Sequence, residues 1–241
     1  AGEPIGRPRA GACGRLVWDG FASGQEAALL RRASERAFEG LPHQGLEVSL
    51  VPGGPSGGRL GPGGSLLVSA LQERCRVALE ASLAAAGGTA RVALEPAGAL
   101  LKRLRLPAEV GALQAGNAYD PFAPHADRAN VAAYEFSALL YLSDEGSDFG
   151  GGSLLFHDPD ADRSVAPAVG RLVAFTSGLE NLHSAEPLRW GSRHLLAVWF
   201  SRRRSPAAAP GAQQDWLAPA LALLALLALC AELARPLLRP L

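Results

Sequence analysis

Short apolar segments in the second half of this 241-residue chain constrain its fold more than any other feature. Three of them, at residues 137–143 (SALLYLS), 170–176 (GRLVAFT) and 193–200 (RHLLAVWF), have the length of strands. Turns rich in Gly, Asp and Pro separate them, and no helical pattern intervenes. This pattern predicts an all-β arrangement that closes on itself in this half of the chain.

Three residues within and just before this region have the composition of a metal site. His125 and Asp127 stand two positions apart, so on an extended segment their side chains point to the same side and could hold one cation. His183, from a distant segment, would complete a two-histidine, one-carboxylate triad that leaves three positions of an octahedral iron open. Zinc is the alternative, although zinc hydrolysis normally needs a nearby general-base carboxylate.

Arg193 gives a reason to prefer iron. Alternation along residues 193–200 places Arg193 on one face with Leu195, Ala197 and Trp199. A guanidinium on an otherwise apolar inward face needs an anionic partner, and its planar fork suits a carboxylate. We therefore expect a dicarboxylate to bind the metal at one end and Arg193 at the other. Trp199 would line this site, or it would be an ordinary core residue of the strand.

The ordered combination of His125-x-Asp127, His183 and an arginine ten residues later resembles the prolyl-hydroxylase branch of the 2-oxoglutarate- and Fe(II)-dependent oxygenases. Residues 139–156 (LLYLSDEGSDFGGGSLLF) and 170–201 are similar to a membrane-anchored member of that branch. The similarity covers about residues 120–202. A looser similarity reaches back to about residue 14.

The resemblance implies an α+β protein with a double-stranded β-helix, or jelly-roll, catalytic core and supporting N-terminal helices on its outer face. It implies Fe(2+), 2-oxoglutarate, O2 and L-ascorbate as cofactors or co-substrates, with His125, Asp127 and His183 holding the iron. Arg193 and Tyr141 would hold the remote carboxylate of 2-oxoglutarate. The partner would be a protein or peptide, hydroxylated on a side chain that we expect to be prolyl.

Each of these residues also has a purely structural interpretation. His125 and Asp127 could form a capping pair in a loop, and His183 could be a hydrogen-bonded core histidine. Arg193 could belong to a buried ion pair, and Tyr141 could be an ordinary buried aromatic residue. At the level of function, the alternative is a membrane-tethered, non-catalytic binding module that keeps the oxygenase fold.

The remaining histidines and a group of basic residues are not expected in the site. His157 and its neighbour Asp158 face opposite sides of an extended chain, and His43 lies in a Pro/Gly loop. His194 adjoins Arg193, so it should point away from the site and outward. Lys102, with Arg103 and Arg105, is expected to face solvent or a sheet edge.

Charge and terminal sequence bear on partners and location. Twenty-three basic and 23 acidic residues balance, so we expect no nucleic-acid partner. The chain starts with Ala and contains no Met, which predicts a mature form without its signal peptide. Cys13 and Cys75 could form a disulfide in an oxidising lumen, or they could be small buried apolar residues.

The composition of the C-terminal part indicates a membrane anchor. Residues 216–231 (WLAPALALLALLALCA) carry no charge, and we predict a transmembrane helix at 216–233. The catalytic domain would then be luminal, in the endoplasmic reticulum or secretory pathway, with Arg235 and Arg239 in the cytosol. A glycolipid-anchor signal and an amphipathic or buried helix are the alternatives.

The predicted domain organisation follows from these features. It consists of an irregular segment (1–13), a helical support region (14–96), the dioxygenase core (97–204), a linker (205–215), the transmembrane helix (216–233) and a short tail (234–241).

Within the support region, Ser23 and Glu26 form a candidate capping box for a helix that ends near Phe38. Residues 52–64, with seven glycines and three prolines, are expected to form no packed element. A second helix is predicted at 65–86, followed by strands at 91–94 and 100–106.

Overall fold

Antiparallel sheets and helices make up the computed structural model, which describes residues 3–4, 14–39, 47–49, 57–86, 92–105 and 121–203. The helices are α1 (Gly24–Phe38), α2 (Gly61–Ala85) and the short α3 (Asp127–Asn130), with 3-10 turns at Gly57–Leu60 and Leu179–Asn181. The strands are β1 (Glu3–Pro4), β2 (Arg15–Trp18), β3 (Glu47–Ser49), β4 (Leu94–Arg105), β5 (Phe136–Tyr141), β6 (Phe149–Gly151), β7 (Leu154–Phe156), β8 (Arg163–Val165), β9 (Leu172–Thr176), β10 (His183–Ala185) and β11 (Leu188–Arg202).

The described strands form two sheets. The larger sheet has the order β1-β2-β9-β5-β11-β4-β3, with β6 also pairing to β11, and the smaller sheet has the order β10-β7-β8. All of these strand pairs are antiparallel. This arrangement of antiparallel strands is a double-stranded β-helix, as predicted for the core.

Strand β11 separates two apolar cores because its side chains alternate between the two faces of the larger sheet. Leu196, Val198 and Phe200 pack in the core that contains α1 and α2. Leu195 and Ala197 pack instead with residues of the smaller sheet. The helices therefore cover the outer face of the larger sheet, as predicted, and the space between the sheets remains for a site.

Helix α1 begins with the predicted capping box. The backbone N–H of Glu26 donates to Ser23 Oγ at 3.2 Å, and the Ser23 N–H donates to Glu26 Oε2 at 2.7 Å. The helix ends at Phe38, where the sequence places its end. Two of the four N–H groups that a helix start leaves unpaired are thus satisfied locally.

The start of α2 differs from the prediction. Residues 57–64 were expected to form no packed element, but Gly57–Leu60 forms a 3-10 turn and α2 already begins at Gly61. Proline is tolerated in a first helical turn, so Pro62 does not prevent this. A Cβ at Gly64 would lie 3.1 Å from Ala33 Cβ, so the glycine allows α2 to approach α1 closely.

Strand β4 is one continuous strand instead of the two short ones predicted at 91–94 and 100–106. It pairs with β11 along its length, and the register shifts by one residue between Trp199 and Phe200. Phe200 pairs with Pro96 and Trp199 pairs with Gly98, so the intervening Ala97 is the extra residue of a bulge. A bulge accommodates a proline inside a strand, which the sequence pattern alone had not indicated.

Several predictions concern the chain termini. Residues 1–13 were expected to be irregular, but Glu3–Pro4 pairs with β2 at the edge of the larger sheet. Cys13 and the predicted transmembrane helix at 216–233 lie outside the described residues, so the disulfide and the membrane anchor stay predictions. No helix in the described part of the chain is long and apolar enough to cross a membrane.

Candidate metal centre

Backbone pairing brings His125 next to His183 at the β10 edge of the smaller sheet. The N–H of each residue donates to the carbonyl of the other at 2.9 Å, which forms an isolated antiparallel bridge. His183 is also the first residue of β10 and pairs there with Phe156 of β7. The two imidazole rings consequently lie side by side, with 4.5 Å between their centroids.

Asp127 joins this pair as the first residue of α3. The preceding Ala126 is extended (φ −120°, ψ 130°), so the side chains of His125 and Asp127 emerge on the same side, as predicted. Asp127 Oδ1 lies 3.8 Å from Nε2 of His125 and 3.8 Å from Nε2 of His183. One donor atom from each residue falls within 4.8 Å of the others. Among the described residues, this is the one group of three such side chains that could hold a metal ion.

The imidazoles are oriented by their other nitrogen atoms. Nδ1 of His125 contacts the carbonyl of Ala123 at 2.9 Å, and Nδ1 of His183 contacts the carbonyl of Asn181 at 2.9 Å. A carbonyl only accepts, so each Nδ1 carries a proton, and Nε2 is the ring nitrogen that faces Asp127. Burial lowers the pKa of His183 to about 4, although the Asp127 charge opposes this, so the ring is neutral at pH 7. A neutral imidazole is the form that binds a metal.

The second carboxylate oxygen of Asp127 is held by two hydrogen bonds. Ser137 Oγ donates to Oδ2 at 2.6 Å, and Trp199 Nε1 donates to the same atom at 2.9 Å. Ser137 is in turn 2.7 Å from Ser177 Oγ. These contacts direct Oδ1 toward the two imidazoles, so the donor set fits a single cation without rearrangement of the carboxylate.

A cavity of about 470 Å³ adjoins the three residues. His125, Asp127 and His183 line it together with Arg193, and Leu195, Ala197 and Trp199 complete the face of β11 that the sequence predicted. The volume lies within the range that small-molecule sites occupy, and most of the cavity walls are apolar.

Arg193 is buried, with 4% of its surface exposed, and its Nη1 donates to the carbonyl of Gly152. Gly152 has φ +73°, a conformation that favours glycine. A Cβ at this position would lie 2.6 Å from Leu188 Cδ2 and 3.4 Å from Arg193 Cδ. The glycine run at 150–152 therefore serves a specific purpose here, because it brings a backbone carbonyl against the guanidinium.

Tyr141 lies beside this arginine in the core between the sheets. It pairs with Leu195 across β5 and β11, two residues from Arg193, and it is almost fully buried. Burial raises the pKa of Tyr141, and the positive charge of Arg193 acts in the opposite direction. The phenol is therefore neutral at pH 7 and able to donate a hydrogen bond. It is not among the residues that line the cavity.

Trp199 lines the cavity and also donates a hydrogen bond to the candidate ligand Asp127. Its ring stacks on Tyr134 with 4.6 Å between centroids and 7° between planes. Sequence reasoning missed Tyr134 and Ser137, because Tyr134 precedes β5 in an irregular segment and Ser137 reads as an ordinary strand residue. The alternation of β5 would have placed Ser137 on the same face as Tyr141.

Among the charged residues, the prediction for Lys102 is wrong. It was expected to face solvent or a sheet edge, but it is 8% exposed and lines the cavity. It pairs with Leu195 across β4 and β11, and directly paired residues face the same side of a sheet. Its neighbour Arg103 points to the other side and contacts Glu35 of α1 at 2.6 Å.

Two of the remaining histidines lie in the described chain, and neither joins the metal-ligand group. His157 is 2.9 Å from Ser184 Oγ and 3.1 Å from Asp162 Oδ2. His194 faces away from the cavity as predicted, but it is buried instead of exposed, because α1 covers it and Glu35 Oε1 lies 2.6 Å from its Nε2. His43 lies outside the described residues.

Comparison with known proteins agrees with this geometry. Residues 113–201 match the model of the 2OG-Fe(II) oxygenase superfamily. The protein named 2-oxoglutarate and iron-dependent oxygenase domain-containing protein 3 from Xenopus tropicalis is 44% identical over 89 residues, which are 36% of this chain and 28% of that protein. Prolyl 3-hydroxylase 3 from Homo sapiens is 46% identical over 70 residues, which are 28% of this chain and 9% of that protein. The matches thus span less than a third of either relative.

A solved structure extends the likeness beyond the matched region at the level of fold. The prolyl hydroxylase from Trichoplax adhaerens, solved with a hypoxia inducible factor peptide fragment, superposes with a TM-score of 0.52 and 14% identity. The superposition covers 78% of this chain and 83% of that chain. Residues 113–201 thus match the 2OG-Fe(II) oxygenase superfamily, and the fold and the grouped His/Asp/His donors agree with that match.

Proposed function

We propose that this protein is a 2-oxoglutarate- and Fe(II)-dependent dioxygenase that hydroxylates a protein side chain, with a prolyl residue as the expected acceptor. The observation that carries the proposal is that His125, Asp127 and His183 share one cavity with the buried Arg193. Cation ligands and a fixed anion partner within one cavity are what a metal-chelating dicarboxylate requires.

The donor set suits iron(II). Two neutral imidazoles and one carboxylate are the facial triad of non-haem iron oxygenases. When bound there, iron(II) would couple the conversion of 2-oxoglutarate and O2 into succinate and carbon dioxide to the oxidation of a C–H bond of the acceptor. The contribution of the chain is to hold the three ligands in place before the metal arrives, which the Nδ1 contacts of the histidines and the two donors to Asp127 accomplish.

Arg193 and Tyr141 would bind the remote carboxylate of 2-oxoglutarate. The carbonyl of Gly152 fixes the guanidinium from one side, and Tyr141 supplies a neutral hydroxyl donor in the same core. A charge-assisted hydrogen bond in a buried site is stronger than in water, so this pair would also select for a dicarboxylate.

The apolar walls of the cavity would keep water away from the reacting atoms. Leu139, Leu195 and Ala197 line it between the metal ligands and Arg193 on the inward face of the larger sheet. Excluding solvent ensures that the oxidant meets the acceptor instead of water. Trp199 and Tyr134 offer a flat aromatic surface in the same cavity, suited to a ring such as that of proline.

The acceptor class rests on the relatives. Prolyl 3-hydroxylase 3 and the Trichoplax prolyl hydroxylase are named for prolyl hydroxylation, and the second was solved with a peptide. We extend a peptide acceptor to this chain, and with it the expectation that L-ascorbate sustains turnover by keeping the iron reduced. We also propose that the catalytic domain is luminal and that residues 216–233 anchor the enzyme in the membrane.

The decisive experiment measures conversion of 2-oxoglutarate to succinate by the full chain with iron(II), O2, L-ascorbate and proline-containing peptides. We expect turnover in the wild type and its loss in Asp127→Ala and Arg193→Gln. Matched controls are Asp160→Ala and Arg163→Gln, which break an exposed ion pair whose residues do not line the cavity. Turnover should survive in both.

Two outcomes would contradict the proposal. Tight binding of iron(II) and 2-oxoglutarate without turnover on any peptide would favour a membrane-tethered binding module that keeps the oxygenase fold. Hydrolytic activity with zinc that ignores 2-oxoglutarate would identify the alternative metal chemistry.

A further inference from the structure

Arg15 of β2 is fully buried although it lies far outside the matched residues 113–201. Its Nη1 and Nη2 donate to the two carboxylate oxygens of Asp158 at 2.8 and 2.5 Å. Its Nε donates to Oδ1 of Asn181 at 2.6 Å. The ion pair is inaccessible to solvent on both sides, with 0% exposure of each side chain.

Asn181 connects this ion pair to the metal centre. Its Nδ2 donates to the carbonyl oxygen of Thr176 at 2.9 Å and to the Thr176 hydroxyl at 2.8 Å. Its own carbonyl is the group that accepts from Nδ1 of His183 at 2.9 Å. Arg15 and Thr176 therefore hold the side chain of Asn181 from both ends, and its backbone orients the imidazole.

A second route from Arg15 to His183 runs through aromatic rings. The guanidinium carbon of Arg15 lies 4.0 Å from the centre of the Phe156 ring, so the cation stacks on its face. The Phe156 ring lies 6.1 Å from the His183 ring. Phe175 contacts both rings, at 5.1 Å from Phe156 and 4.8 Å from His183. The side of His183 that faces the core is thus packed against groups that Arg15 holds.

A buried ion pair is costly to desolvate, and apolar residues of similar volume often replace one without loss of stability. Stability alone therefore does not account for Arg15 and Asp158. What apolar residues could not do is hold the side chain of Asn181, because that requires a directional donor at the position of Nε.

We propose that Arg15 is a positioning residue for the metal ligand His183 and acts through Asn181. The inference rests on the proposed function in that it takes His183 as a metal ligand. It adds that the metal centre depends on a side chain of strand β2, outside the residues that the family match covers. Outer partners of a metal ligand typically affect metal affinity about 10- to 100-fold.

The test titrates the full chain, without 2-oxoglutarate, with cobalt(II) and records its affinity and visible absorption, which reports ligand geometry. In Arg15→Met combined with Asp158→Leu both charges are removed together, so no unpaired charge is left in the core. Asn181→Ser leaves the ion pair in place but removes the link. The matched control is Arg171→Gln, which breaks the exposed bidentate pair of Arg171 with Asp19 near the same strand.

We expect the double variant and Asn181→Ser to bind cobalt(II) about 10- to 100-fold more weakly, with an altered absorption spectrum, while Arg171→Gln matches the wild type. The proposal is overturned if either variant folds with wild-type affinity and spectrum. If the double variant does not fold, the cobalt(II) affinity and absorption spectrum of Asn181→Ser test the proposal instead.

The turnover assay separates this inference from the proposed function. Weaker cobalt(II) binding by the variants, in a protein that shows no 2-oxoglutarate turnover, would support the role of Arg15 and reject the proposed dioxygenase. Turnover in the wild type with unchanged metal affinity in the variants would support the proposed dioxygenase and reject the role of Arg15. A wild-type chain that binds no cobalt(II) would overturn both.

Discussion

At the scale of single residues, Asp127 divides its carboxylate between two tasks. Oδ2 accepts from Ser137 and Trp199, and Oδ1 faces the two histidines at equal distances of 3.8 Å. A carboxylate held in this way has little freedom to rotate, so a metal would find its ligand atom already in place. Ser137 and Trp199 thus belong to the site although neither is a candidate ligand.

Replacing Ser137 with Ala should weaken metal binding by about 10-fold, because Asp127 Oδ2 loses one of its two donors. Isothermal titration of the chelator-treated protein with manganese(II) or cobalt(II) would measure this. Ser164→Ala, on an exposed position of β8, is the matched control and should bind like the wild type. Equal affinity in the two variants would show that Trp199 alone orients the carboxylate.

His183 predicts a pH dependence of the metal-free protein. Burial lowers its folded pKa to about 4 from an ordinary value of 6.5, so below pH 6.5 the unfolded chain takes up a proton that the folded chain refuses. The contribution of His183 is therefore complete above pH 6.5. It is lost progressively as the pH falls to about 4, which removes about 3 kcal/mol from the free energy of unfolding.

Urea unfolding of wild type and His183→Asn in the presence of a chelator, at pH values from 7 to 4, would check this. The wild type should lose stability more steeply than the variant over that range. Parallel curves for the two proteins would mean that His183 is not buried in its neutral form in the metal-free state.

At the scale of elements, helix α1 and the glycine run at 150–152 hold strand β11 from opposite faces. Glu35 of α1 lies 2.6 Å from both His194 and Arg103, so the helix is tied to β11 and β4 on the face opposite the cavity. On the cavity side, the turn after β6 brings the Gly152 carbonyl to Arg193. Strand β11 is thus held on both faces, and the guanidinium has a fixed position.

The turn predicts a specific effect of Gly152→Ala on co-substrate binding. The new Cβ would lie 2.6 Å from Leu188 Cδ2 and 3.4 Å from Arg193 Cδ, so the Leu188 side chain would have to move and the packing beside Arg193 would change. We expect 2-oxoglutarate to bind the manganese(II)-loaded protein at least about 10-fold more weakly, since a charge-assisted hydrogen bond contributes on the order of 1.5–3 kcal/mol.

Gly146→Ala is a matched control for this effect. Gly146 also has positive φ, at +96°, but nothing lies within 4 Å of the position its Cβ would take. Both substitutions should cost about 1–2 kcal/mol of stability from the left-handed backbone, and only Gly152→Ala should affect 2-oxoglutarate. Equal 2-oxoglutarate affinities in both variants would refute a role of the turn in placing Arg193.

At the scale of the whole molecule, the larger sheet links parts of the chain that the family match separates. Strand β2 pairs with β9, and β4 pairs with β11, although β2 and β4 precede residues 113–201. Without them, β9 and β11 would each present an unpaired edge. The N-terminal region therefore completes the oxygenase sheet as well as covering it with helices.

Metal binding should stabilise this whole assembly, because it joins the segment of His125 and Asp127 to the distant segment of His183. A metal at 100 times its Kd adds about 2.7 kcal/mol to the free energy of unfolding. For a chain of this size, this should raise Tm by roughly 5–10 °C. Thermal unfolding with manganese(II) and with a chelator would measure the shift, and Asp127→Ala should abolish it. An equal shift in that variant would place the metal elsewhere.

Local patterns in the sequence determined the features that depend on neighbours along the chain. The capping box of Ser23 and Glu26, the shared side of His125 and Asp127, and the common face of Arg193 and Trp199 all follow from helical or strand periodicity. The composition of a two-histidine, one-carboxylate site pointed to His183, and the resemblance to prolyl hydroxylases pointed to the double-stranded β-helix. The superposition on a solved prolyl hydroxylase confirms the fold, and residues 113–201 match the superfamily that the resemblance named.

Only the tertiary structure decided which distant groups meet. Lys102 enters the cavity because its strand pairs with Leu195, and His194 is buried because α1 lies over it. Arg15 reaches Asn181 because β2 joins the sheet beside β9, which no local pattern indicates. Periodicity fixes the face on which a side chain lies. Strand pairing and helix packing fix what that face contacts, and both are set by the whole chain.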